Sequence, residues 1–306
     1  MKIGWKSSLA EVLRKHNGAK FNGTTASAAT RDKRSDVLYA GFEDLRKLGF
    51  RLDDVHSFRG AHMRALARTW EQQRLSPSTL QGRISIFRLF ASWIGKDGMI
   101  EASWKYVDSP DSVRRTTINR VDKSWSAYGV DIMAKIAEVR AIDERVAMAL
   151  KLQAAFGLRA KEAYMLRPHL ADLGSVLAIT RGAKNGRPRA LRIETTSQRE
   201  VLDHAKALVS GKAESVGDPS LTLAQVKAHY YNVLRKAGIK RANGITSHGL
   251  RHEVANDQYE RITGLASPVR GGPTSGRSAL DCAARMEIAE NLGHSRDDIT
   301  THYLGR

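Results

Sequence analysis

Residues 292–303 read L-G-H-S-R-D-D-I-T-T-H-Y, and they place a histidine, His294, nine residues before a tyrosine, Tyr303. Each of these residues has an ordinary structural explanation when it is taken alone. A histidine after Leu-Gly can begin a helix, and a tyrosine can anchor a terminal segment. Residues 296–303 are themselves compatible with a short helix. The stretch becomes informative when it is combined with three other segments in the second half of the chain.

The segment S-H-G-L-R-H at 247–252 contributes His248 and Arg251. His248 and His252 are four residues apart, so on a helix they share one face, as the ligands of some zinc sites do. The zinc-protease motifs built on that spacing require a glutamate where this chain has Gly249 or Arg251, and an arginine would repel the metal. We therefore expect no metal here, and a structural histidine remains the alternative for His248.

Two earlier segments add further charged residues. G-L-R-A-K-E-A at 157–163 contributes Arg159 and Glu162 near the start of a helix. R-G-A-K-N-G-R-P-R at 181–189 lies between two predicted strands, and its Asn-Gly pair is typical of a hairpin turn. Lys184 is then at the hairpin tip. Taken singly, such residues are more often solvated surface charges or ordinary turn residues.

The charge of the chain narrows the class of partner. The 306 residues include 50 Lys+Arg and 32 Asp+Glu, for a formal charge of +18. The basic excess is shared between the halves, with +10 over residues 1–120 and +8 over residues 121–306. A polyanion, most often a nucleic acid, is the expected partner. A merely soluble basic protein is the alternative.

The composition also excludes several classes of protein. Apolar and charged contents are ordinary for a packed protein, which excludes wholesale disorder and collagen-like or disulfide scaffolds. The single cysteine, Cys282, favours a reducing compartment, so we expect a cytoplasmic, nucleoid-associated protein. We find no long apolar run, no secretory signal and no phosphate-binding glycine motif. Neither membrane association nor nucleotide binding is expected.

The periodicity predicts a mainly α protein with two domains. Residues 1–108 contain four segments with helical periodicity, and residues 109–125 are a polar stretch that we interpret as a linker. Residues 126–306 are predicted to be mostly helical, with a small antiparallel sheet on either side of Lys184. A Gly-, Pro- and Ser-rich stretch at 264–278 is predicted to be a mobile loop.

Taken together, the segments resemble the tyrosine recombinase family, the lambda-type phage integrases. Its catalytic pattern is Arg, Lys, His-x-x-Arg, His or Trp, then Tyr, in that order along the chain. The L-G-H-S phrase, the downstream T-x-x-Y and the nine-residue spacing of 294 to 303 also match the family. The matching residues here are Arg159, Lys184, His248, Arg251, His294 and Tyr303.

The resemblance implies a fold for each domain. Residues 1–108 would form a SAM-like four-helix core-binding domain that contacts DNA. Residues 126–306 would form the tyrosine recombinase catalytic domain, which is mostly helical with a small antiparallel β-sheet.

The resemblance also implies a role for each residue. Tyr303 would attack the scissile phosphate and form a 3′-phosphotyrosyl link. Arg159 and Arg251 would hold the nonbridging oxygens, since planar guanidinium groups suit phosphate. Lys184 would protonate the departing 5′-oxygen.

The remaining site residues would assist this chemistry. His248 would act as acid and base near the tyrosine, and His294 would donate a hydrogen bond to the phosphate. Glu162 would orient a histidine or an arginine, with a plain helix-surface glutamate as the alternative. The protein itself supplies the charges, so no cofactor or metal is implied.

The implied partners are duplex DNA at a specific core site, a homo-tetramer on synapsed DNA and an accessory directionality factor. Basic side chains of the first domain and the linker are candidates for DNA contact. These candidates are Arg83, Arg88, Arg114, Arg115 and Arg120.

Several functions remain open at this point. The leading hypothesis is a site-specific integrase of a mobile element or prophage, and a chromosome- or transposon-dimer resolvase shares the same residues. A type IB topoisomerase, a non-catalytic DNA-binding protein on the same scaffold and an RNA-binding protein are the alternatives. The spacing of 43 positions from Arg251 to His294 is longer than compact relatives need. One hypothesis is that the excess, at roughly 262–280, contacts a neighbouring subunit.

Overall fold

Two sets of helices, each with a hydrophobic core of its own, make up the chain. The computed structural model describes residues 4–18, 25–274 and 278–306. It divides into the units Met1–Thr116 and Thr117–Arg306, and the division falls within the stretch interpreted as a linker. No helix among the described residues has the length and apolar character needed to cross a membrane.

The first unit is helical, as expected. Ser76 caps the last of its long helices by accepting a hydrogen bond from the Thr79 amide, and Pro77 occupies the first helical position. The second helix begins with a polar turn that carries no apolar periodicity, and the Ser27 side chain caps it by accepting a hydrogen bond from the Thr30 amide. The helices are α1 (Trp5–His16), α2 (Ala28–Lys47), α3 (Gly60–Gln72) and α4 (Pro77–Trp93).

Aromatic side chains fill the core of the first unit. The Phe87 ring is fully buried, 5.2 Å from the Phe58 ring and 5.8 Å from the Trp70 ring. Phe42 and Phe90 pack edge to face at 5.4 Å. The rings of Phe42, Phe87 and Phe90 account for part of the helical periodicity of the sequence, because each lies on the buried face of its helix.

The second unit is also mainly helical and contains the predicted antiparallel sheet. Helix α6 lies at its centre, is capped by Asp143 and packs against α5, α7, α9 and α11. The elements are α5 (Ile132–Arg140), α6 (Glu144–Phe156), α7 (Ala160–Met165), α8 (Pro168–Ala171), β1 (Val176–Ile179), β2 (Arg189–Arg192), α9 (Thr196–Leu208), α10 (Leu223–Lys236), α11 (Gly249–Thr263), α12 (Ala279–Asn291) and α13 (Thr301–Leu304).

Local structure differs from the sequence prediction in two places. Strands β1 and β2 pair antiparallel with Val176 opposite Arg192, but residues 180–188 join them through a 3-10 turn at Lys184–Gly186. This connection is longer than the tight turn that an Asn-Gly pair indicates. The predicted helix at 296–303 is split into a 3-10 turn, Asp297–Thr300, and the short helix α13.

The stretch predicted to be a mobile loop, 264–278, is tied to neighbouring segments at Ser267 and Arg270, and its mobility remains a prediction. Arg270 forms ion pairs with Asp122, Glu253 and Asp257. The Ser267 hydroxyl is fully buried and bonds to the Asn256 side chain. Residues 275–277 lie outside the described residues.

Candidate active site

Five of the six predicted catalytic side chains line one cleft of about 440 Å³ in the second unit. The sixth, Arg251, lies behind the cleft and is fully buried. No aspartate or glutamate is among the described residues that line the cleft. The lining residues are Lys123, Arg159, Lys184, His248, His252, His294, Ile299, His302 and Tyr303.

The ends of several helices bring these residues together. Helix α6 ends at Gly157, which adopts the left-handed conformation at φ 61°, and the chain then turns so that Arg159 precedes α7. His248 immediately precedes α11, and His294 follows the end of α12. Side chains far apart in sequence therefore converge on one cleft.

Arg251 is a buried cation that no carboxylate neutralises among the described residues. Its Nε donates to the Tyr303 Oη at 3.1 Å, and one terminal nitrogen donates to the Gly157 carbonyl at 2.6 Å. The other terminal nitrogen donates to the Leu292 carbonyl. Burial lowers the pKa of Arg251 to about 10. An unneutralised guanidinium beside the tyrosine hydroxyl creates a local preference for an anion.

Arg159 shares an acceptor with Arg251. One terminal nitrogen of Arg159 donates to the Leu292 carbonyl at 3.0 Å and lies 3.3 Å from the His294 Nε2. The other terminal nitrogen donates to Glu162 at 2.8 Å. Leu292 caps the C-terminal end of α12, where the helix dipole places negative charge, so this one carbonyl orients both arginines.

Glu162 is fully buried beneath the cleft, so it is not the helix-surface glutamate of the alternative interpretation. It accepts hydrogen bonds from the Arg159 backbone and side chain, and both terminal nitrogens of Arg189 donate to it at 2.7 and 2.8 Å. Burial would raise its pKa, but the hydrogen bonds and charge of Arg189, with those of Arg159, lower the pKa to about 2. Glu162 orients the arginines rather than a histidine.

Two of the cleft histidines, His248 and His294, are neutral at neutral pH. Loss of solvation, followed by the charges of Arg251 and Arg159, lowers the pKa of His248 to about 4. Loss of solvation and the same arginines lower the pKa of His294 to about 4. A neutral imidazole can accept a proton, and the His248 ring lies 5.9 Å from the Tyr303 ring.

The nucleophile candidate is held from several directions. The Tyr303 side chain is 6% exposed, and its hydroxyl accepts the hydrogen bond from Arg251. The backbone carbonyl of Thr301, in the same short helix, accepts a hydrogen bond from the Asn119 amide at 2.9 Å. A Cβ on Gly305 would lie 2.9 Å from the Val269 side chain, so the anchored 264–274 segment packs against the end of α13.

Lys184 lies in the exposed turn between β1 and β2, and its charge is among those that lower the pKa of His294. Lys184 also lines the cleft. Its role as the proton donor remains a prediction.

The predicted DNA-contact arginines make different contacts. Arg88 donates to the Ile100 and Glu101 carbonyls, and the Arg115 side chain donates to the Ser78 carbonyl. The Arg83 guanidinium lies 5.1 Å from the Trp70 ring centre. Arg114 and Arg120 are exposed. Their contacts with DNA remain predictions.

Sequence reasoning misses the positions of three cleft-associated residues. Arg189, which pairs with Glu162, stands out in the sequence only as part of the hairpin. His252 lines the cleft with its ring 4.9 Å from the Tyr303 ring, and Lys123 lines it from the polar stretch before α5. The helical spacing from His248 could have indicated that His252 lies near the site. The positions of Arg189 and Lys123 follow only from tertiary contacts.

Comparisons with known proteins agree with this arrangement. Residues 122–257 match the family model described as integrase, and residues 13–100 match the model described as phage integrase, N-terminal. A search of curated protein sequences gives no match.

Solved structures with the same fold share little sequence with this chain. A lambda integrase tetramer bound to a Holliday junction has a TM-score of 0.60 and 14% identity, covering 97% of this chain and 76% of that chain. XerH site-specific recombinase bound to palindromic difH substrate has a TM-score of 0.57 and 14% identity, covering 100% and 94%. The Tn1549 transposon integrase with transposon right end DNA has a TM-score of 0.58 and 12% identity, covering 97% and 95%.

The two family models match separate parts of the chain. The arginine, lysine, histidine and tyrosine residues that occur in the family's order meet at one cleft in the second unit of the chain. The chain belongs to the tyrosine recombinases, the site-specific enzymes that transfer DNA strands.

Proposed function

We propose that this recombinase is the integrase of a mobile element or prophage, and that Tyr303 is its nucleophile. One observation carries the assignment of the nucleophile. The Tyr303 side chain lines a cleft that it shares with several cationic side chains, and the Nε of buried Arg251 lies 3.1 Å from its hydroxyl. Such a cleft favours a phosphodiester over a cationic or neutral ligand.

Cleavage exchanges one phosphate ester bond for another. The Tyr303 oxygen forms a bond to phosphorus while the bond from phosphorus to the 5′-oxygen breaks. His248 takes the tyrosine proton, and Lys184 gives a proton to the departing 5′-oxygen. The product is a 3′-phosphotyrosyl ester and a free 5′-hydroxyl, and attack by a second 5′-hydroxyl reverses the step. Because the ester retains the bond energy, rejoining requires no nucleoside triphosphate.

Arg159, Arg251 and His294 would bind the nonbridging oxygens as negative charge grows in the transition state. Their preorganisation supports this role, since Arg159 and Arg251 share the Leu292 carbonyl and Arg159 contacts His294. Preorganised donors stabilise the negative charge of the transition state without having to rearrange during the reaction. Glu162 would act only by positioning Arg159.

We assign DNA binding to residues 1–108 and the linker, and catalysis to residues 126–306. The similar solved structures include a dimer bound to a core site and a tetramer bound to a Holliday junction. By analogy, this chain would bind duplex DNA at a specific core site and act as a homo-tetramer on synapsed sites. A directionality factor would bias the reaction toward integration or excision.

The first experiment can be performed before the target site is identified. The protein is incubated with a nicked random-sequence duplex library in EDTA, and adducts that survive SDS are collected and sequenced. We expect adducts with one recurring sequence, and Tyr303→Phe should bind DNA without forming them. Tight binding with no adduct in the wild-type protein would contradict the assignment and favour a non-catalytic binder.

A second step separates an integrase from its relatives. Two duplexes carrying the captured sequence are mixed, and strand exchange between them is followed with one labelled end. Recombinant products support a recombinase over a topoisomerase, which would relax supercoils without a partner site. Mapping the captured sequence to the end of a mobile element supports the integrase, whereas a chromosomal or transposon resolution site supports a resolvase.

A further inference from the structure

Lys123 is a cleft lysine outside the recognised catalytic pattern. It is exposed, and it lines the same cleft as Arg159, His248 and Tyr303. Within the described ranges, its ammonium has neither a carboxylate at salt-bridge distance nor a hydrogen-bond partner. The adjacent acid, Asp122, is already occupied, since it accepts hydrogen bonds from Arg270 and from the Ser124 amide and hydroxyl.

The backbone of Lys123 is fixed more firmly than an exposed linker lysine requires. A Cβ on Gly249 would lie 2.7 Å from the Lys123 carbonyl oxygen, so the backbone packs directly against the start of α11, next to His248. Two residues later, Trp125 is fully buried and its indole nitrogen donates to the Thr246 carbonyl at 2.7 Å. Arg270 holds the same segment from the other side through Asp122.

The two cleft lysines act on different histidines. The charge of Lys123 is among those that lower the pKa of His248 and His252, whereas the charge of Lys184 is among those that lower the pKa of His294. The ammonium groups are therefore associated with different parts of the cleft.

We infer that Lys123 is a further phosphate-binding residue of the active site, whose ammonium contacts a nonbridging oxygen of the scissile phosphodiester beside His248. The inference rests on the proposed function. A fixed backbone with an unpaired cation reduces the entropy lost when the anion binds. Because the proposed function assigns the proton transfer to Lys184, Lys123 acts as a charge clamp and transfers no proton.

The test measures adduct formation on the nicked duplex captured by the wild-type protein. Lys123→Ala should slow cleavage by about 10- to 100-fold, in the range found when one transition-state donor is removed. Lys123→Arg should restore most of the rate because it keeps the positive charge. The matched control is Lys212→Ala, which removes an exposed lysine that does not line the cleft and should cleave at the wild-type rate.

A substrate with sulfur at the bridging 5′ position distinguishes the two lysine roles. A thiolate leaves without a proton, so this substrate should rescue Lys184→Ala and should not rescue Lys123→Ala. NMR titration of the histidine rings gives a readout that is independent of cleavage. Lys123→Ala should raise the pKa of His248 and His252, because a nearby positive charge is removed.

The outcomes separate this inference from the proposed function. Absence of an adduct in the wild-type protein would overturn the proposed function, and the inference with it. A wild-type adduct together with an unchanged rate in Lys123→Ala would overturn the inference alone. Rescue of Lys123→Ala by the bridging thiolate would also overturn it, since that result identifies a proton donor.

Discussion

The first helical unit and the second differ in what they bury. Among the described residues before 117, the buried polar side chains are Ser8 and Asn17, and the core is otherwise apolar and rich in aromatic rings. The second unit buries charged and polar groups beside its cleft, including Glu162, Arg251 and His252. Burying such groups costs free energy unless they are paired. The comparison indicates that the first unit is built for stability and that the second gives up part of its stability to form a site.

The largest stability effect is expected in the aromatic core. Phe87→Ala should lower the free energy of unfolding of the first unit by about 3–5 kcal/mol, because it leaves a cavity between fully buried rings. Urea unfolding followed by the fluorescence of the tryptophans, including adjacent Trp70, measures the change. A loss below about 1 kcal/mol would show that this core can repack and would weaken the contrast between the units.

Two buried arginines of the second unit can be compared directly, because Arg285 forms an ion pair with Asp281 whereas Arg251 has no ion pair among the described residues. Arg251→Met should slow adduct formation about 10³-fold, while the free energy of unfolding changes by less than about 1 kcal/mol. No ion pair is lost, and a costly buried cation is removed.

Arg285→Met is the matched control for Arg251→Met. Arg285 is 3% exposed and its Nε donates to Asp281 at 2.9 Å. Breaking this buried pair should cost about 3–5 kcal/mol. Equal stability losses in the two variants would contradict the view that Arg251 is retained for function.

Glu162→Gln tests whether the buried carboxylate supports both stability and geometry. With a folded-state pKa of about 2, Glu162 contributes stability that is fully present above its unfolded pKa and is lost as the pH falls through about 2. The variant should lose on the order of 2 kcal/mol at pH 7. The gap between the two proteins should narrow as the pH is lowered from 4.5 toward 2. Urea unfolding at several pH values measures it, and a constant gap would show that the charge of Glu162 is not the cause.

The smallest expected effect on the free energy of unfolding comes from the buried histidines. Loss of solvation lowers the pKa of His252 to about 3, so the unfolded chain binds a proton more readily than the folded one. The contribution of neutral His252 to the free energy of unfolding is therefore fully present above the ordinary histidine pKa. It is lost as the pH falls toward 3, because protonation then favours the unfolded chain. From pH 7 to 5, His252 should account for about 1–2 kcal/mol of lost stability. Denaturant titrations should show a shallower slope in His252→Phe, and an unchanged slope would contradict the assignment.

The sequence is most informative where periodicity or order along the chain is sufficient. The helices of the first unit follow from the spacing of residues such as Leu38, Phe42 and Leu45, which are buried on one side of α2. The order of the arginine, lysine, histidine and tyrosine residues predicts which side chains share a cleft. Neither inference depends on the tertiary packing.

The remaining features depend on contacts between distant segments. Nothing near Arg189 in the sequence indicates that it pairs with Glu162, 27 positions away, and nothing near Lys123 indicates that its backbone packs on Gly249. The stretch at 264–274 has a loop-like composition, yet Arg270 anchors it through carboxylates from two other segments. Whether this stretch also contacts a neighbouring subunit remains a prediction.

The most direct test of the central claim identifies the residue that carries the DNA. Trypsin cleavage after Arg296 yields the peptide 297–306, whose only tyrosine is Tyr303. Adducts formed on nicked DNA in EDTA are digested with nuclease and trypsin and analysed by mass spectrometry. We expect a nucleotide remnant on Tyr303 of this peptide, and no adduct in Tyr303→Phe. A remnant on any other residue, or an adduct that persists in Tyr303→Phe, would contradict it.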